Sequence, residues 1–300
     1  MSVRESCWML VSAFLFALMA LFVKLSTAYY GVMEIIFYRS VLGVLFVGAQ
    51  MAARHISFRP HFVSHHIARC LVGTLSISLG VYVLGVLPLG TAQTLAYTSP
   101  LFFSLFIVIA ARRAGKAMDW PLLAAVAVGF VGAVLILRPD FSSVEFMAVI
   151  LGLCAGMTGA GDVTGGRITL DGTDIRDLSL HKEPNERIVF YFTLTGTVFG
   201  AVITLFTPEG FHSHSAESIV PLLMVGVAGT AAQLTLTRAW QKGQPLVNTV
   251  FQFSGIVFAL ILGALVFGEK PDTVTFIGIA VVFAAGLTAG IIRVRNPRLN

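Results

Sequence analysis

The chain has 300 residues, 56% of them hydrophobic and only 12% charged, with a formal net charge of +5. No stretch of ordinary domain size is polar enough to fold as a soluble domain, so the chemistry must sit among apolar helices or in the loops between them. The chain reads as an all-α membrane protein.

Ten apolar runs follow one another: 7–29, 33–52, 66–87, 91–111, 120–137, 144–161, 188–207, 218–238, 245–267 and 273–292. A hydrocarbon core of about 30 Å takes about 20 helical residues to cross, which makes each run a candidate span. The first run carries Lys24 at its far end and lacks a small-residue cleavage site, so it reads as a retained helix rather than a removed signal. The second holds Arg39, a charge that costs about 2.5–3.5 kcal/mol at a helix centre on insertion scales. Arg39 lies roughly 9 Å below the outer end at about 1.5 Å per residue. Two roles stand open: snorkelling outward with Glu34 as partner, or attracting a substrate carboxylate.

The third run brings Tyr82 to a depth comparable with Tyr97 of the fourth, where Pro88 and Pro100 bracket the outer half. Pro100 removes a backbone donor and frees carbonyls near Ala96, with Tyr97 and Ser99 on either side. These residues suit a pocket for an aromatic or amphipathic solute, and the two tyrosines equally suit an outer aromatic belt. In the ninth run Asn248 and Gln252 share one helical face, with Ser254 nearby, and serve either a substrate path or helix–helix bonding. Gln93 and Gln233 are weaker candidates of the same kind. Gly286 and Gly290 in the tenth run form a small-residue packing face. Trp8, Trp120 and Trp240 all fall at cytoplasmic ends, where indoles prefer the headgroup boundary.

Orientation follows from the twenty Lys and Arg: with the N-terminus inside, sixteen fall on the inner side and three (Lys24, Arg138, Lys270) outside, Arg39 lying within a span. Both termini are therefore expected in the cytoplasm. Topology accounts for the basic balance, and no nucleic-acid partner is inferred from it. Cys7, Cys70 and Cys154 show no paired spacing, and the histidines of the 55–66 loop are not spaced as a helical metal face. No cofactor or metal is expected.

The chain also resembles itself. Thr94, Ser99 and Phe103 superpose on Thr249, Ser254 and Phe258, and Phe37, Tyr38 and Gly43 on Phe190, Tyr191 and Gly196. Two five-helix repeats follow, 1–143 and 144–300, and an odd helix number inverts the second in the membrane. Inverted repeats are a signature of secondary transporters, whose site lies near the midplane between the halves.

The stretches GVLPLGTAQTLAYTSPLFF (85–103) and LGALVFGEKPDTVTFIGIAVVFAAG (262–286) resemble the drug/metabolite transporter superfamily, specifically its EamA-type branch. FYRSVLG (37–43) is similar to the YddG-type exporters of aromatic amino acids. The resemblance implies ten helices in two repeats with both termini inside, the bacterial inner membrane, and a small-molecule substrate. Its Glu269-Lys270-Pro271 turn matches the family motif and is placed in an outer loop. One segment departs from the pattern. Residues 161–187, GDVTGGRITLDGTDIRDLSLHKEPNER, put Gly165-Gly166 and Asp171-Gly172 turns around a short strand at Arg167–Leu170. Part of it resembles a strand-turn-strand piece of ABC-transporter ATPase domains, within an atypical cytoplasmic loop spanning 162–187. It is either a solvated loop or a substituted segment. No phosphate-binding loop accompanies it, so transport is not expected to be ATP-driven.

The function expected is a secondary carrier, not an enzyme, exporting aromatic or apolar amino acids or related metabolites by alternating access. It is expected to work as a monomer and without proton coupling. A drug or nucleotide-type metabolite carrier is the alternative within the superfamily, and an intramembrane enzyme or receptor the alternative outside it. The residues assigned to the substrate path are Arg39, Tyr82, Tyr97, Ser99, Pro100, Asn248 and Gln252.

Overall fold

The computed structural model describes residues 3–60, 63–113, 120–136, 142–164 and 184–295, and every regular element among them is an α-helix. The strand and turns expected in 165–183, with the ATPase-like stretch, lie outside the described residues. In chain order the helices are α1 (Val3–Ser26), α2 (Val32–Ala53), α3 (Val63–Val86), α4 (Leu89–Ala96), α5 (Ser99–Arg113), α6 (Trp120–Ile136) and α7 (Ser143–Thr164). There follow α8 (Asn185–Phe206), α9 (Ala216–Lys242), α10 (Pro245–Gln252), α11 (Ser254–Phe267) and α12 (Thr273–Arg295). The fourth and ninth apolar runs are thus each two helices end to end.

Among the described residues six helical stretches are long and apolar enough to cross a bilayer, one of them running from Val250 through the α10–α11 junction to Phe267. Three more described helical stretches are apolar and shorter. Apart from the short α10, the helices show little contrast between an apolar and a polar face, as do helices buried in protein on one side and lipid on the other. Leu45, Leu265 and Phe206 stand 63%, 76% and 86% exposed, a surface that hydrocarbon rather than water would cover.

Local chemistry sets the ends. Ser215 and Ser218 form a reciprocal capping box at the start of α9. Gly268 closes α11 in the left-handed region at φ +63°, and the Glu269 N–H returns to the Gly263 carbonyl at 3.1 Å. Between α2 and α8 the backbones meet at Gly200, where a Cβ would lie 2.8 Å from the Phe37 nitrogen and 2.9 Å from the Met33 oxygen.

The packing has a regular pattern. The most extensive helix pairs are α1 with α9, α3 with α7, α2 with α8 and α6 with α12, while α1 also meets α10 and α11 as α7 meets α4 and α5. Exchanging the first five apolar runs for the last five maps this set of pairs onto itself.

Candidate functional site

Two interrupted helices define the centre of the molecule. At the first interruption Tyr97 N–H reaches the Gln93 carbonyl at 2.9 Å, then Thr98 N–H turns to Leu95 at 3.1 Å, tightening the last turn. The Thr98 hydroxyl takes the same Leu95 carbonyl at 2.6 Å. Pro100, in the first turn of α5, has no N–H to return to Ala96, so the helical ladder cannot continue through it. At the second interruption no proline is present. Phe253 keeps φ −66° but flattens to ψ −15°, Ile256 N–H bonds the Phe253 carbonyl at 3.1 Å, and the Ser254 hydroxyl takes Phe251 at 2.6 Å. The two breaks touch: the Tyr97 and Phe253 rings lie 6.0 Å apart, and the Tyr97 hydroxyl occupies the space a Cβ on Gly255 would need.

Beside this junction lies a cavity of about 270 Å³, near the lower end of the range for small-molecule sites. Helix α1 presents one face to it through Met9, Ser12, Ala13, Phe16, Met19 and Ala20, at the spacing of a single helical stripe. Helix α3 does the same with Gly73, Ser76, Ile77, Gly80, Val81 and Leu84. Arg39 of α2, Gln93 and Ala96 of α4, Tyr97, and Ser99 of α5 complete the lining from the first half. Ala155 and Gly159 of α7, Phe192 of α8, Gln233 and Leu236 of α9 and Gln252 of α10 line it from the second. Small residues on α3 and α7 open the space; nothing lies within 4 Å of where a Cβ on Gly80 would stand.

Four of the seven sequence-assigned residues, Arg39, Tyr97, Ser99 and Gln252, therefore meet in one cavity, together with both weaker candidates, Gln93 and Gln233. Pro100 enters through the backbone break it enforces. Tyr82 packs beside the large apolar core instead. Asn248 is fully buried away from the cavity, and its Nδ2 donates to the Ala239 carbonyl at 2.6 Å, tying α10 to α9.

Arg39 does not snorkel. It is only 3% exposed, its guanidinium lies 5.7 Å from the Phe192 ring centroid, and its Nε has no hydrogen-bond partner. Glu34, the partner considered for it, is committed elsewhere, accepting the His212 backbone N–H at 3.0 Å and meeting His212 Nδ1 at 2.7 Å.

The Glu269-Lys270-Pro271 turn is also more than a loop. Glu269 Oε1 pairs with Lys24 Nζ at 2.7 Å and Oε2 accepts the Leu89 N–H at 2.7 Å, while Lys24 also donates to the Leu87 carbonyl at 2.7 Å. One carboxylate thus clasps the end of α1 and the Pro88 hinge before α4. At the other end of α1, Ser6 Oγ accepts the Gln244 N–H at 2.8 Å, at the hinge before α10. Each end of α1 holds the hinge of one short helix. The signal that would have located the α1 face in the sequence is the recurrence of small or polar side chains at helical spacing, Ser12, Ala13 and Ala20, within an otherwise bulky run.

Interrupted apolar helices around an internal cavity with polar side chains define a multi-pass membrane protein built to hold a small solute. The model of the EamA-like transporter family matches residues 4–138 and 174–289, and the chain belongs to that family. The pseudopaline exporter CntI of Pseudomonas aeruginosa is 30% identical over 277 residues, covering 92% of each chain. A riboflavin transporter of Rhizobium johnstonii is 26% identical over 77% of this chain and 71% of its own. A solved crystal structure matches the fold with a TM-score of 0.67 over 99% of this chain and 100% of the other, at 17% identity.

Proposed function

We propose that this protein is a secondary carrier that exports amino acids or related small metabolites across a bacterial inner membrane by alternating access. The observation that carries the reading is the cavity walled by both halves of the chain at the point where the two interrupted helices touch. The two five-helix halves, 1–143 and 144–300, would lie inverted about it, a reading supported by the symmetric set of helix pairs and by the family match in two segments. Ten spans with both termini inside agree with the sixteen-to-three distribution of basic residues. Export is favoured by the relative named as an exporter, and an aromatic-tolerant site by the relative named for riboflavin.

In this account Arg39, Tyr97, Ser99, Gln93, Gln233 and Gln252 contact the solute, and the junctions at Pro88, Tyr97–Thr98, Gln244 and Phe253 supply the bending points, because helical hydrogen bonding is already interrupted there. Counterflow in proteoliposomes tests it, using labelled phenylalanine, tryptophan, leucine, threonine, glutamate and the N-acetylated acids, with and without a pH gradient. Uptake of at least one solute is expected, insensitive to the gradient and lost in Tyr97→Ala and Gln252→Ala. Uptake that survives both substitutions would overturn the assignment of the site.

A further inference from the structure

The charge inventory of the cavity is one-sided. Among the described lining residues Arg39 is the only one charged at neutral pH, and no Asp, Glu, His or Lys faces the space. The carboxylates of Glu5, Glu34, Glu186 and Glu269 are engaged with Arg238, His212, Arg54 and Lys24 respectively. A guanidinium that is 3% exposed, with a buried Nε lacking any hydrogen-bond partner, is costly in a low-dielectric interior unless an anion joins it. Its approach to the Phe192 ring leaves the charge in place. Gln93, Gln233 and Gln252 bring amide donors and acceptors to the same space, and Met9, Phe16 and Phe192 bring apolar surface.

We propose that the cavity takes an organic anion: a metabolite of net negative charge whose carboxylate seats on Arg39 while an apolar body lies against Met9, Phe16 and Phe192. The inference rests on the reading of the cavity as the carrier's site and narrows its substrate class. A zwitterion satisfies Arg39 but brings an ammonium for which the lining offers no carboxylate, and a cation is repelled outright. An anion also supplies the driving force that the lining lacks a relay for. A cell interior negative by 60 mV expels a monovalent anion with about a tenfold concentration ratio, so a carrier of such a solute runs outward without a titratable side chain in the membrane.

The test uses matched probes on the purified full-length protein in nanodiscs, with binding read by calorimetry: 3-phenylpropionate, phenylalanine and phenethylamine, and indole-3-propionate, tryptophan and tryptamine. In at least one set the anion is expected to bind ten or more times more tightly than the zwitterion, with the amine weakest, and Arg39→Gln is expected to erase that order. A zwitterion or amine binding as well as its anion, an order that persists in Arg39→Gln, or no anion binding in either set would each overturn the proposal. Should Arg39→Gln fail to fold, the unaltered protein decides: counterflow substrates are assayed under potassium–valinomycin potentials, and about a tenfold shift in accumulation per 60 mV is expected. Transport indifferent to potential would overturn the anion while leaving the carrier standing, whereas transport indifferent to Tyr97→Ala and Gln252→Ala would overturn the site itself.

Discussion

Removing the Glu269 side chain should unfasten the hinge before α4, and its cost follows from the contacts. A deeply buried ion pair loses about 3–5 kcal/mol when one partner is deleted, and an exposed one about 0–1 kcal/mol. The Lys24 and Glu269 side chains are 19% and 16% exposed, which places the pair between these limits. Glu269→Ala also deprives the Leu89 N–H of its acceptor, adding about 1 kcal/mol. We therefore expect a loss of about 3 kcal/mol for Glu269→Ala. Lys24→Ala should lose about 2 kcal/mol, since Glu269 keeps the Leu89 N–H. The double variant should lose little more than Glu269→Ala alone, leaving a coupling of about 1–2 kcal/mol. At roughly 2 °C per kcal/mol for a chain of this size, the expected drops in melting temperature in detergent are about 6, 4 and 7 °C. Drops that simply add in the double variant would show that the two side chains do not act as one clasp.

Gly200→Ala places its methyl against the α2 backbone, which cannot yield as a side chain can, and should destabilise by about 1–3 kcal/mol in the same melting assay. Gly80→Trp, by contrast, points into open cavity space; it should leave the melting temperature within a few degrees while abolishing counterflow, and retained transport would show that the space is not on the solute's path. His212→Ala leaves the Glu34 carboxylate, 1% exposed, with only one backbone donor, and a loss of about 1–3 kcal/mol is expected, partly recovered in the Glu34→Leu/His212→Ala double variant.

Much of the architecture is written in local composition. Each of the ten apolar runs coincides with a described helix or helix pair to within a few residues, because unbroken apolar stretches between polar breaks leave the backbone no other way to satisfy itself. The first helix break was legible from Pro100, which lacks the donor the ladder needs. The second was not: Phe253 carries no breaker, and its flattened ψ arises where its ring packs against Tyr97 and over Gly286, a tertiary contact. Arg39 was recognisable as unusual, yet whether it snorkels depends on the rotation of α2, and that is fixed by the close approach of α8 at Gly200. Asn248 and Gln252 share a face by spacing, but α10 is short and turned so that one bonds α9 while the other reaches the cavity. Glu269 read as a loop residue because its two side-chain partners, Lys24 of α1 and the Leu89 N–H at the start of α4, are both distant in sequence.

Alternating access requires that one cavity be reached in turn from the two sides of the membrane. It is tested most directly by Ser99→Cys in a background with Cys7, Cys70 and Cys154 replaced by alanine, probed with a membrane-impermeant maleimide in right-side-out and inside-out vesicles. With Ser99 at the cavity wall, labelling is expected from both sides and is slowed by a bound substrate. Labelling confined to one side would contradict alternating access and favour a fixed binding pocket.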